Sequence, residues 1–408
     1  MIKSFKVRLK LNNKQKSFFN GNANISRFVY NWALARQKQN YQDGGKFINN
    51  FDLRKELTIL KKSELSWLYN YDVDIAKQAV KDACDSYIKF FKRKSCFPRF
   101  KSKKYSKKSF FVDNIKIKIT DNGVKIPKLK TIIKFAEKYY IPLNCKYANP
   151  RITSDGINWF LSVAVEKENK DIELNKEGLG IDVGLKNLAI RSDGVVHKNI
   201  NKDKKLIKIR KKLKRFQRNI SRKYLKNKVS NRFIKTNNIE KLKIKLKKQY
   251  IKINNIQNDY FKKIAIDIAR TKPYYIAMEN LNIAGMMKNK NLANSFQNNG
   301  LYNFKMAMKN KCIEYGINFI EVDRFFPSSK LCSCCGMKKE NLKLKDRIFH
   351  CNNCGFNICR DLNASINLKQ YPELQGNLSL WSVKPKESSC KTKSDTMKKE
   401  NSKKLTIL

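Results

Sequence analysis

Along residues 3–11, apolar Phe5, Val7, Leu9 and Leu11 alternate with basic Lys6, Arg8 and Lys10. That period of two predicts a half-buried strand. Residues 13–41 and 72–94 read as helices, the second ending in the run Lys92, Arg93, Lys94. FPRFKSKKYSKKSFF follows, with aromatic and basic side chains interleaved. Ile115, Ile117 and Ile119 alternate with Lys116 and Lys118, which predicts a strand with a basic face. Trp159, Leu161, Val163 and Val165 predict another. Strands near both ends of residues 1–170, with helices between them, fit a small β-barrel interrupted by helices.

The pattern changes at Lys176–Gly178. GLGIDVGLKNLAIRSDG predicts two strands joined by a tight turn, and residues 202–230 are dense in Lys and Arg. From Ile239 the apolar positions run Leu242, Leu246, Tyr250, Ile253, Ile256, Tyr260, Ile264 and Ile268. Steps of three and four predict one long amphipathic helix. YYIAMENL is short and continuously apolar, as a strand buried on both faces requires. A helix near 300–315, a strand NFIEV at 318–322 and a short helix over DLNASINL complete the series. Beyond about Gln370 no period remains, and a flexible tail is expected.

Charge narrows the range of partners. The 408 residues suffice for two or three domains, and 89 Lys and Arg against 34 Asp and Glu leave a net charge of +55. A Lys-rich proteome explains Lys in place of Arg, but not the excess over carboxylates. Phosphate polymers are the natural counter-charge. Candidate contacts in the first basic stretch are Lys92, Arg93, Lys94, Arg99, Lys101, Lys103 and Lys104. In the second they are Lys211, Lys212, Lys214 and Arg215. The N-terminus has no apolar signal core and no run reaches membrane length, so a soluble, cytoplasmic protein is expected.

Eleven cysteines, an odd number, argue against a disulfide framework. Cys332-x₂-Cys335 and, fifteen residues on, Cys351-x₂-Cys354 have the spacing of a four-thiolate zinc site. Gly336 and Gly355 follow the second cysteine of each pair, where a tight knuckle favours glycine. Cys334 lies between ligands as a bystander, and His350 is the rival ligand beside Cys351.

Three carboxylates stand out. Asp182 sits between Ile181 and Val183 in an apolar strand, where an acid needs a partner. Glu279 ends another apolar strand, and Asp361 opens a helix past the cysteines. Each of the last two has a plain alternative, a strand end facing water and a helix N-cap. On separate elements of one α/β unit, the three acids can converge on Mg²⁺ or Mn²⁺, which suits phosphodiester hydrolysis.

GIDVGLKNLA, AMENL, SSKLCSCCG…CNNCG and RDLNASINL, in that order, resemble the TnpB family of transposon-encoded, RNA-guided DNA endonucleases, related to type V CRISPR effectors. QAVKDACDSYIKFFKRK and FPRFKSKK resemble its N-terminal region, so the likeness spans roughly residues 1–370. It implies an RNase H-like (RuvC) α/β core at 178–325 and 358–370, with Asp182, Glu279 and Asp361 as catalytic metal ligands. It implies a zinc ribbon at 326–357, a β-barrel at 1–12 and 95–177, a helical recognition insert at 13–94 and a tail at 371–408. The implied partners are the element's guide RNA and target double-stranded DNA, bound by a monomer in a prokaryotic cytoplasm without a membrane. Family members often carry Asp-Arg-Asp where this chain has Cys359-Arg360-Asp361. Two other functions fit the same residues: a transposase performing strand transfer with these acids, and a non-cleaving RNA-guided DNA-binding protein.

Overall fold

A computed structural model describes residues 1–168, 172–230, 232–343 and 346–374. The expected tail from 371 lies almost wholly outside the described residues. The chain divides into two compact units, Met1–Glu168 and the remainder.

The first unit begins with β1 (Ile2–Lys10) and three helices, α1 (Asn13–Gln42), α2 (Asn50–Lys62) and α3 (Val73–Phe91). Asn12 caps α1 by accepting from the Gln15 N–H at 2.8 Å, while the Gln15 side chain accepts from the Asn12 N–H at 3.0 Å. Asn49 and Asp72 cap the other two helices. Six strands follow: β2 (Ser109–Phe111), β3 (Lys118–Ile119), β4 (Gly123–Lys125), β5 (Ile133–Phe135), β6 (Tyr147–Ser154) and β7 (Trp159–Glu166). All seven form one antiparallel sheet in the order β2-β6-β7-β1-β5-β4-β3, with β1 paired to β7 from Ile2↔Glu166 to Leu9↔Trp159. Helix and sheet share one core. Phe19 of α1 meets the rings of Phe110 and Trp159 edge-on, each at 5.3 Å.

Two expectations are corrected. The sheet is a half-barrel: among the described residues no ladder joins β2 to β3. The strand expected over Ile115–Ile119 shrinks to Lys118–Ile119. Asp113 Oδ1 accepts from the Ile115 and Lys116 N–H groups and winds that stretch into a turn, leaving Ile115 exposed and Ile117 buried.

The second unit opens with β8 (Leu179–Val183), β9 (Asn187–Arg191) and β10 (Val196–Lys198). Helix α4 (Lys204–Lys226), a small hairpin of β11 (Lys228–Val229) and β12 (Arg232–Phe233), and α5 (Asn237–Arg270) come next. Then follow β13 (Tyr275–Glu279), α6 (Ile283–Met286), α7 (Lys290–Asn299), α8 (Leu301–Tyr315) and β14 (Asn318–Val322). The small hairpin β15 (Ile348–His350) and β16 (Asn357–Cys359) leads into α9 (Arg360–Leu374). The main sheet runs β10-β9-β8-β13-β14, antiparallel across the first three strands and parallel across the last three.

Side-chain alternation splits this sheet between two cores. Ile181, Ile276 and Met278 pack with Phe261, Ile264 and Phe304 of α5 and α8. Tyr275 and Ala277 face the opposite way and pack with Leu368 of α9. Strand β13 is thus buried on both faces, which is why its sequence is continuously apolar. Gly180 lets α9 approach β8: a Cβ there would lie 1.9 Å from the Ser365 carbonyl oxygen and 2.5 Å from the Lys369 nitrogen. Among the described residues, no helix is long and apolar enough to cross a membrane.

Candidate functional site

The two strand acids share the face that α9 covers. Asp182 follows Gly180 by two residues, and Glu279 follows Ala277 by two. Ile181 pairs with Met278 in the parallel ladder, so Asp182 and Glu279 come next on neighbouring strands. Asp361 lies in the first turn of α9, the helix seated on those strands. All three acids are half-buried. Burial first, then the negative charges of Asp361 and Glu279, push the Asp182 carboxyl well above the ordinary carboxylate range, while Arg360 pulls it the other way. Burial also raises Glu279. Their ligand atoms do not form a group within 4.8 Å; among the described residues only the four sulfurs do.

α9 is fastened from its other side. Asn363 accepts from the Ser333 N–H at 3.0 Å and donates to the Leu331 carbonyl at 2.6 Å. Asn367 donates to the Ser328 and Leu331 carbonyls at 2.7 and 2.8 Å. These positioning residues, with Gly180, were not singled out from sequence. The available signal was two asparagines one helical turn apart in DLNASINL, both fully or nearly fully buried here.

The four cysteines converge. Cys332 and Cys354 sulfurs are 3.7 Å apart, those of Cys335 and Cys351 3.6 Å, and all four lie within 4.8 Å. Tetrahedral ligands about 2.3 Å from one zinc ion sit about 3.8 Å from each other, so the set fits that ion. Gly336 and Gly355 take φ of 74° and 68°, and each N–H closes its knuckle onto the first cysteine's carbonyl, at 2.9 and 3.1 Å. The Met337 N–H and the Asn353 side chain lower the Cys335 thiol to about 6, favouring a thiolate ligand. Cys334 and His350 lie outside the four-sulfur group. Cys359 closes β16, exposed and paired with Ile348.

Of the candidate nucleic-acid contacts, Lys92, Arg93, Lys94, Arg99, Lys103 and Lys104 are exposed. Lys101 differs: it is half-buried, with its ammonium 3.4 Å from the Tyr30 ring centre. The FPRF segment carries an unpredicted aromatic cluster, in which Phe97 packs edge-on against Tyr87 and Phe90 and is itself exposed. Lys211, Lys212, Lys214 and Arg215 lie on the exposed face of α4. That helix packs on α5 through Leu206, Leu213 and Ile253.

Three family models match in chain order. Residues 1–46 match one described as a helix-turn-helix domain, although here they form β1 and the single long helix α1. Residues 160–290 match one described as a probable transposase, and 302–368 one described as a Cas12f1-like TNB domain. The chain is similar to "Putative RNA-guided DNA endonuclease InsQ" of Escherichia coli (strain K12), 26% identical over 90% of this chain and 91% of that protein. It is also similar to a Streptomyces pristinaespiralis protein given the same activity in its name, 24% identical over 98% and 96%. In fold it resembles the protein in a solved Cas12f1–sgRNA–target DNA complex, with a TM-score of 0.52 and 14% identity over 90% of this chain and 98% of that one. Model order and end-to-end relatives point to a transposon-associated class, and the chain is similar to the TnpB family across most of its length.

Proposed function

We propose that this chain is an RNA-guided, Mg²⁺-dependent DNA endonuclease of a transposable element, with an RNase H-like core and a zinc ribbon. One observation carries the reading: Asp182 and Glu279 stand side by side beneath the helix that bears Asp361, in a chain similar to this family. The strand order β10-β9-β8-β13-β14 supports the RNase H-like reading, and the four-sulfur group supports the ribbon. Burial and then the repulsion of its two acidic neighbours raise the Asp182 carboxyl, and a bound divalent cation would relieve that repulsion. Asp182, Glu279 and Asp361 would hold Mg²⁺ or Mn²⁺, which supplies charge neutralisation at the scissile phosphate and a more acidic water. The basic faces of both units would hold guide RNA and target duplex by their phosphates, while base pairing reads sequence. The protein would act as a monomer in the cytoplasm of a prokaryotic cell.

The test is plasmid cleavage with the guide RNA that co-purifies with the protein. Asp182→Asn, Glu279→Gln and Asp361→Asn should each reduce cutting at least about a hundredfold and leave gel-shift affinity for RNA and DNA nearly unchanged. Robust Mg²⁺-dependent cutting by Asp182→Asn, or equal cutting of unmatched plasmid without guide, would sink the mechanism. The match to a model described as a probable transposase favours one second reading, strand transfer by the same acids. Sequencing of product ends separates the two, since hydrolysis leaves free ends and transfer leaves joined ones.

A further inference from the structure

In the first unit, α1, α3, the segment after α3 and strands β2 and β6 line a partly open cavity of about 50 Å³. One water needs about 10–15 Å³ on such a measure, so the space holds three or four oxygen-sized atoms. It suits a tetrahedral oxyanion and is too small for a nucleobase. Arg27, Lys101, Lys103, Lys107, Lys108 and Arg151 bring six cations to its wall, against the single carboxylate of Asp82.

That carboxylate is already committed. Arg151 holds it with a two-pronged fork at 2.7 and 2.8 Å, and Gln78 donates to Oδ1 at 2.9 Å. Lys108 donates to Asn20 at 2.6 Å, and Lys101 lies over Tyr30. Arg27 is different. Its Nε is buried without a hydrogen-bond partner among the described residues, and no carboxylate there reaches it as an ion pair. A guanidinium N–H withdrawn from water is unfavourable until an acceptor arrives. Ser26, Ser102, Ser106 and Ser109 line the same space.

We propose that this cavity is a subsite for one backbone phosphodiester of a nucleic-acid strand, with Arg27 as its anchoring fork. Guanidinium suits a phosphate because its planar donors match two oxygens at once. Exposed Lys103 and Lys107 at the rim extend positive charge to the neighbouring phosphates of the same strand. The proposal rests on the reading that the chain binds polynucleotide.

The test measures binding of labelled oligo(U) and oligo(dT) of equal length by fluorescence anisotropy, from about 50 to 200 mM salt. Arg27→Gln should weaken both probes about tenfold, the loss of one charge-assisted contact. It should also flatten the plot of log affinity against log salt by about 0.7, one single-strand phosphate. Arg27→Lys should keep the slope and recover only part of the affinity. Lys107→Gln, at an exposed position, gives a second variant if Arg27→Gln fails to fold by circular dichroism. Lys138→Gln, exposed and outside the cavity, is the control. A loss confined to oligo(U) would assign the subsite to RNA. The cavity assignment is overturned if Arg27→Gln, or Lys107→Gln in its stead, changes affinity and slope no more than the control does. If the unaltered protein binds neither probe, the polynucleotide reading fails and takes this proposal with it.

Discussion

At the scale of one residue, Asp182 shows what the acid cluster costs the fold. Its carboxyl is raised by burial and by two neighbouring acids. A carboxyl whose folded pKa exceeds its unfolded value binds more protons when folded. Its stabilising contribution is complete below the unfolded value and is lost as pH rises through the raised value. Metal-free protein should therefore weaken as pH climbs from about 4, the ordinary carboxylate value, towards neutrality. Asp182→Asn should remove much of that slope. At neutral pH without divalent cation, its melting temperature should exceed that of the unaltered chain by about 2–4 °C, the equivalent of roughly 1 kcal/mol in a unit of this size. The gap should close in acid and on adding Mg²⁺. Calorimetric melts across pH check this, and a less stable variant at neutral pH contradicts it. The acid between two β-branched residues was legible in the sequence as an anomaly needing a partner. Which partners it has was not, because strand register and the seating of α9 are set by contacts far apart in the chain.

At the scale of elements, the cysteine module and α9 behave as one piece. Asn363 and Asn367 bond to carbonyls of residues 328–331, beside Cys332. Purified protein should contain one zinc per chain by metal analysis, because thiolate binding contributes directly to folding such modules. Cys332→Ser and Cys354→Ser should lose the metal, and Cys334→Ser should keep it. A chelator should also speed amide exchange in the first two turns of α9; unchanged exchange there means the helix stands without the cysteine module. For α4, reversing Lys211, Lys212, Lys214 and Arg215 to Glu should lower nucleic-acid affinity and flatten its salt dependence by about 0.9 per duplex phosphate lost. An unaltered slope would show the run to be a solvated helix face. Elements with a clean period, β1, β7, α5 and β13, were readable. Strand β6 was not: Pro150, a left-handed Asn149 and a bulge between Ala148 and Arg151 break its alternation. Helix α2 was missed because its buried face holds only Leu53, Leu57 and Lys61. The Ile115 stretch misled, since a side-chain turn at Asp113 imitates a strand's spacing.

At the scale of the molecule, a net charge of +55 acts against compactness, since 34 Asp and Glu offset only part of 89 Lys and Arg. A long polyanion such as heparin should raise the melting temperature of the nucleic-acid-free protein, with uncharged dextran as the inert comparison; equal melts in both would mean the charges are already well spread. The close fit between Gly180 and α9 has another consequence, in the order of synthesis. The strand with Asp182 leaves the ribosome early, and the helix with Asp361 only after the cysteine module is made. Until then the groove over Gly180 stays open and the long-range contact that closes it is unmade, which is the slow kind of contact to form. On the proposed chemistry, a growing or truncated chain is unarmed. It exposes its basic surfaces to nucleic acid while holding two of its three acids, and the cell meets a cutter with all three acids only when α9 is laid in place.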